Sequence, residues 1–258
     1  MKDNVKIGII GAGSLGIMYG QKLTAAYGKE RVFFLASNER CEIYKEADFV
    51  CNGETCDFNF VSTDRNKNIP LDLLIFAVKY SGLEGAIQEV RSFVSENTIL
   101  LSLLNGITSE EEIEAVFGKK HTLYSVALGM DPIREGFHVS YQNIGRILIG
   151  SRYGNQDDDI RLTLKILKEA GIPCEVSDDI MYTQWKKLML NTGVNQAITV
   201  YESTYAGMQQ EGEIRTRMIE AMREVIEVAG REGVVLTEDD IRECVDLLDT
   251  MNPEGMPC

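Results

Sequence analysis

Residues 5–16 read VKIGIIGAGSLG, a short and mostly apolar run that passes directly into three glycines spaced G-x-G-x-x-G. Such a run suits a strand buried on both faces. The next residues, SLGIMYGQKLTAAYG, repeat at helical spacing and close on a glycine. Strand, glycine turn and helix in that order open a βαβ unit, which commits the chain to a parallel sheet covered by helices. The three glycines serve different ends. Gly11 permits a tight turn, Gly13 lets backbone approach a pyrophosphate, and Gly16 allows the helix to pack closely on the strand. The helix start then offers unpaired N–H groups and the positive end of its dipole to a phosphate. A glycine turn without a ligand is the alternative, and the strand-to-helix context argues against it.

The alternation continues. RVFFL, DLLIFAV and TILLSLL read as further strands, with the helical GLEGAIQEVRSFV between the last two. After LYSVALGM the segments shorten to FHVSYQ and GRILIG, followed by a helix over about 156–170 and a strand near CEVS. From Asp178 onward the pattern is almost only helical, over about 178–200, 212–231 and 237–250. Asp178 and Thr237 suit N-caps. The expected fold is α/β: a Rossmann-type doubly wound sheet over residues 1–177, then an all-helical domain over 178–258.

Composition excludes some functions. The chain has 258 residues, and 44% are hydrophobic, enough for a real core. A net charge of −14 argues against nucleic acid or an anionic membrane as the main partner, since both reward dense Lys and Arg. A small anion can still be held by a locally basic pocket. No apolar run approaches the roughly 20 residues of a membrane span, and the N-terminus lacks a signal-peptide pattern. Six cysteines show no C-x-x-C, and there are two histidines, so reduced thiols, no metal site and a cytoplasmic location are expected. The oligomeric state stays open, a homodimer included.

Three further places carry polar residues where chemistry can occur. The second strand ends in LASNER, where NAD sites usually put an acid on the ribose. Ser37, Asn38 and Arg40 suit a 2'-phosphate better than a diol, which favours NADP, although Glu39 intervenes and Ser37 or Asn38 could simply cap a helix. Lys79 ends LIFAVK, and Asn105 follows ILLSLL, both beyond strand ends where open α/β sheets bind ligands. A solvated lysine and a plain turn residue are the alternatives. Finally, WKKLMLNTGVN sets Lys187, Asn191 and Asn195 four apart, one stripe of a helix with about 6 Å between neighbours. A polar stripe among Ile180, Val194 and Ile198 is costly unless it finds partners. A polar ligand supplies them, with Lys187 protonating a carbonyl oxygen and the amides holding other oxygens; a Lys–Asn network tying two helices together is the alternative. Lys186, about 100° round the helix, is expected to tolerate alanine.

With GAGSLG, AVK at Lys79, LLNG at Asn105 and WKKLMLNTGVN in view, the chain resembles the ketopantoate reductase (2-dehydropantoate 2-reductase) family over essentially its whole length. The last segment is similar to the family's W-x-K-L-x-x-N-x-x-x-N signature and is the most specific of the four. The resemblance implies reduction of 2-dehydropantoate to (R)-pantoate with NADPH, in pantothenate and coenzyme A biosynthesis. It implies Lys187 as catalytic acid and Asn191 and Asn195 as substrate-binding residues. It also implies Gly11, Ala12, Gly13, Ser14, Leu15 and Gly16 around the pyrophosphate, with Lys79 and Asn105 near the nicotinamide and Asn105 within reach of substrate.

Two departures stand out. Family members often carry an arginine just after the second strand; here Ala36 is nearby and Arg40 comes later. The family also continues into a segment with a substrate-binding serine and a glutamate, whereas this chain ends at PEGMPC, so a truncated or shortened relative is expected, with Glu254 no substitute. The nearest rival class, the 3-hydroxyacid dehydrogenases, shares Lys-x-x-x-Asn but usually shows GLGxMG at the start, which is absent here. A non-catalytic NADP-binding relative is the rival from a different class, opposed by the intact Lys187–Asn191–Asn195 stripe.

Overall fold

A computed structural model describes residues 4–64 and 69–255 of the chain. Cys258 and the last residues of PEGMPC lie outside the described residues. The chain divides into two compact units, Met1–Ile180 and Met181–Cys258.

The first unit opens with β1 (Ile7–Ile10), α1 (Ser14–Tyr27), β2 (Val32–Ala36) and α2 (Asn38–Glu46). Three short strands follow, β3 (Val50–Cys51), β4 (Glu54–Thr55) and β5 (Asn59–Ser62), then β6 (Leu73–Phe76), α3 (Leu83–Val90), β7 (Ile99–Ser102) and α4 (Ser109–Phe117). It closes with β8 (Thr122–Met130), β9 (Ile133–Glu135), β10 (His138–Ser140), β11 (Ile144–Gly150), α5 (Asp157–Glu169) and β12 (Cys174–Val176).

Eight strands form one sheet in the order β12-β11-β8-β7-β6-β1-β2-β5. From β8 to β5 every pairing is parallel, as expected for strands joined by helical crossovers; β11 pairs antiparallel with β8, and β12 runs parallel to β11. Strand residues alternate between two cores. Ile7, Ile9, Phe34, Leu73, Ile75 and Leu101 pack with Ile17, Met18 and Leu23 of α1 and with Leu167 of α5. Ile10, Phe33, Leu35, Leu74, Phe76 and Leu100 pack with Leu83 and Ile87 of α3 and Ile113 of α4. Burial on both faces explains why these strands are continuous apolar runs.

Register aligns the ends of the central strands. Ile10 pairs with Phe76 and Phe76 with Ser102, so Gly11, Ala77 and Leu103 follow side by side at the carboxyl edge. A second, four-stranded sheet in the order β4-β3-β10-β9 was not evident from hydrophobic periodicity. Its strands have two or three residues, too few for an alternation to show. An aromatic group of Tyr44, Phe49, Phe58, Phe60 and Phe137 packs where this sheet meets α2 and β5.

The second unit is helical: α6 (Ile180–Tyr201, which begins with the last residue of the first unit), α7 (Tyr205–Gln209), α8 (Glu213–Arg231) and α9 (Glu238–Asp249). Helix α6 starts two residues after Asp178, the expected cap. Thr237 does cap α9, in a reciprocal box with Asp240. Trp185, Met189, Met208, Met218, Met222, Ile241, Cys244 and Leu248 are buried. A Cβ on Gly193 would lie 2.7 Å from Met222 Cγ, so α6 and α8 pack closely there. Among the described residues no helix is long and apolar enough to cross a membrane, and no disulfide forms.

Candidate active site

The glycine loop sits at the carboxyl end of β1, and its three glycines differ in what requires them. Gly11 has φ +108°, and a Cβ there would meet the Ala77 carbonyl oxygen at 2.5 Å. A Cβ on Gly16 would lie 1.9 Å from the Gly11 carbonyl oxygen, a contact no side chain can make. Those two glycines are demanded by the loop and by the close seating of α1. Gly13 is different. Its φ of −87° is open to any residue, and the nearest atoms to a Cβ would be Ala77 O at 3.6 Å and Arg134 Nη1 at 3.8 Å, ordinary contacts. The protein itself gives no reason for glycine at 13; a ligand approaching the backbone does. No acid lies in the first turn of α1, so its positive end is not neutralised locally. Loop and helix therefore fit a dinucleotide diphosphate.

Lys79 and Asn105 lie three residues beyond the aligned ends of β6 and β7, both exposed. Gly106, with φ +106°, makes the turn after Asn105. The carboxyl edge thus brings the glycine loop, Lys79 and Asn105 to adjacent strand ends, as doubly wound sheets do at their ligand sites.

At the end of β2 the polar residues are occupied locally. Ser37 is the N-cap of α2, its Oγ accepting from the Arg40 backbone N–H at 3.4 Å. The Asn38 amide nitrogen of the main chain donates to Asp64 Oδ2 at 2.7 Å, and its side chain donates to Glu42 at 3.2 Å. No acid closes β2 in chain order; one arrives from the neighbouring strand instead, because Ser62 of β5 pairs with Ala36 and Asp64 follows two residues later. Pairing across strands brings it there.

In the helical unit, α6 is continuous from Ile180 to Tyr201, so Lys187, Asn191 and Asn195 do share one stripe. All three are half-buried, while Ile180, Val194 and Ile198 beside them are buried. Desolvation by burial lowers the Lys187 amine from 10.5 to about 8. Lys186 faces elsewhere and is no bystander. Its Nζ lies 2.9 Å from Asp240 Oδ1, is bonded to Glu243, and is 3.3 Å from the Tyr182 hydroxyl, which itself donates to Asp240. Burial opposes its charge, but the Glu243 and Asp240 bonds outweigh it and raise the amine. Adjacent lysines on one helix are thus driven in opposite directions, Lys186 raised by its carboxylate partners and Lys187 lowered by desolvation.

The sequence profile described as Ketopantoate reductase PanE/ApbA matches residues 7–154, and the profile described as its C-terminal part matches residues 179–257. The chain belongs to the ketopantoate reductase family. The glycine loop, Lys79 and Asn105 fall within the first matched span of this family member, and Lys187, Asn191 and Asn195 within the second. The 2-dehydropantoate 2-reductase of Lactococcus lactis is 24% identical over 251 residues, 95% of this chain and 79% of that protein. The crystal structure of 2-dehydropantoate 2-reductase from Geobacter metallireducens GS-15 aligns with 98% of this chain and 85% of its own, with TM-score 0.84 and 23% identity. A D-mandelate dehydrogenase in a ternary structure with NADH and anilino(oxo)acetate aligns with 95% of this chain and 80% of its own, with TM-score 0.83 and 22% identity. At such identities the two structures attest the fold.

Proposed function

We propose that this ketopantoate reductase family member reduces the 2-oxo acid 2-dehydropantoate to (R)-pantoate with NADPH, in the cytoplasm, as a step toward pantothenate and coenzyme A. The observation that carries the reading is Lys187: a half-buried amine with a pKa of about 8, in line with two amides on one helix face. A nicotinamide dinucleotide held by the glycine loop would supply the hydride for the substrate's C2. The Lys187 ammonium gives its proton to the carbonyl oxygen as the new C–H bond forms, so the C=O becomes an alcohol. The neutral amine then recovers a proton from water. An amine near its titration point is matched to that role, because it is both largely protonated and ready to release its proton. Asn191 and Asn195 hold the substrate's other oxygens. The test is NADPH oxidation by the purified chain with ketopantoate, with an aromatic 2-oxo acid, with a 3-oxo acid and with none. Turnover with the 3-oxo acid alone, or with no acid at all, would sink the reading.

A pH prediction follows from the direction of the Lys187 shift. The protonated amine is the working form for reduction, so kcat/KM should be level below pH 8 and fall as pH rises through about 8. In Lys187→Arg, whose side chain stays charged, any residual activity should lose that descending limb. A limb that persists in the variant belongs to another group.

The end of β2 bears on the cofactor. Arg40, with no acid in β2 itself, favours NADPH, and binding at least about tenfold tighter than NADH is expected, modest for one charge-assisted phosphate contact. Asp64 beside the Asn38 N–H is the specific observation for a second reading, NADH, since a carboxylate there repels a 2'-phosphate and accepts from a ribose hydroxyl. Titrations of the wild type, Arg40→Ala and Asp64→Asn with both cofactors separate the two. NADPH preference lost in Arg40→Ala supports the first reading; NADH preference lost in Asp64→Asn supports the second.

A further inference from the structure

The Cβ position of Gly13 has a neighbour from far along the chain. Arg134 Nη1 comes within 3.8 Å of it, although 121 residues separate the two in sequence. We infer that Arg134 binds the diphosphate of the dinucleotide, supplying from β9 the cation that the glycine loop lacks; this rests on the dinucleotide reading above.

Charge is the first argument. Residues 11–16 contain no lysine or arginine, and the first turn of α1 contains no acid. A diphosphate brings two negative charges to a chain that already carries −14. Backbone N–H groups and the helix dipole offset part of that, and a guanidinium offsets more, with a planar fork matched to phosphate oxygens.

Availability is the second. Arg152, Arg215 and Arg223 are each paired with a carboxylate, from Glu111, Asp249 and Glu238. Among the described residues no carboxylate forms an ion pair with Arg134. Its Nε donates to the Gly136 carbonyl at 2.6 Å, and its guanidinium lies 5.9 Å from the centre of the Phe137 ring.

Pre-positioning is the third. Arg134 pairs with Val139 across the β9–β10 hairpin, and β10 pairs with β3. Gly136, at φ +61°, makes the turn between them, and Phe137 packs against Phe49 and Tyr44 with ring centres 4.8 and 5.8 Å apart. The aromatic group and the small sheet thus hold the hairpin that carries the arginine over the loop. A guanidinium fixed by one hydrogen bond and one ring loses little freedom when a phosphate arrives.

A purely structural role is the competing account, in which the Nε–Gly136 bond closes the hairpin and nothing more. The two differ in what they move. Wild type, Arg134→Ala, Arg134→Gln and Arg134→Lys are titrated with ADP-ribose, NADH and NADPH, and thermal midpoints are recorded without ligand. The expected result is a rise in Kd of about tenfold or more in Arg134→Ala and Arg134→Gln. It should be equal for all three ligands, because the diphosphate is common to them, and partly recovered by lysine, with unchanged midpoints. The dependence of Kd on salt should also become shallower, since a charge contact is lost. Unchanged affinities overturn the inference, as does a loss confined to NADPH, which would move Arg134 to the 2'-phosphate. A lowered midpoint with no affinity change assigns the hairpin role. If the wild type binds none of the three ligands, the dinucleotide reading itself falls, an outcome distinct from wild-type binding that Arg134→Ala leaves intact.

Discussion

Lys187→Ala is expected to lower turnover by at least about 100-fold, the lower end of what losing a general acid costs, while leaving NADPH affinity in place. The asymmetry follows from the roles assigned: the amine acts on the substrate's oxygen, whereas the glycine loop holds the cofactor. Asn191→Ala and Asn195→Ala should act mainly on KM. Lys186 supplies the control, and its environment changes what is expected of it. Asp240 is buried and takes bonds from Lys186, Tyr182 and the Thr237 N–H, which together hold its carboxyl below the usual range against the opposing effect of burial. Lys186→Ala removes one partner of a partly buried network, and about 1–3 kcal/mol of stability should go with it. Activity per folded molecule should survive. If Lys186→Ala proved the crippling change and Lys187→Ala the mild one, the assignment of the acid would be wrong.

The residues legible in the sequence share a property: their signal is local. The glycine loop lies within six residues, and the Lys187 stripe repeats every four on one helix, so helix geometry alone places them. The places of Lys79 and Asn105, three residues past β6 and β7, could be anticipated because those strands read as buried apolar runs. What escaped depends on pairing between distant segments. In the small sheet, β10 lies within FHVSYQ, but β3, β4 and β9 are too short to carry a period, so the sheet itself was not foreseen. β5 reads NFVS, half polar, and stands out as a strand only beside β2. Asp64 owes its place to that same pairing. Lys186 was expected to tolerate alanine because its carboxylate partners come from α9, more than 50 residues later. Arg134 had no spacing to betray it, since only the folding of its hairpin brings it to Gly13.

The glycine loop allows the other large effect to be separated from folding. Gly13→Ala should leave the thermal midpoint nearly in place, because the backbone there is in an ordinary conformation and a methyl would meet nothing closer than 3.6 Å. The expected cost is within about 1 kcal/mol, that of alanine at a helix N-cap. Affinity for NADPH and NADH should nevertheless fall by about 10- to 100-fold, since a methyl holds phosphate oxygens off the N–H groups and each bond to a charged group is worth roughly 1.5–3 kcal/mol. Gly16→Ala should behave oppositely. Its methyl would sit 1.9 Å from the Gly11 carbonyl oxygen, so α1 must move away from β1, with Ile17, Met18 and Leu23 carried along. A loss of several kcal/mol, of the size that overpacking and backbone displacement produce, is expected. Thermal unfolding and cofactor titration on the two variants check both halves. If Gly13→Ala bound cofactor as the wild type does, glycine at that position would not be answering to a ligand, and the diphosphate would have to be placed elsewhere.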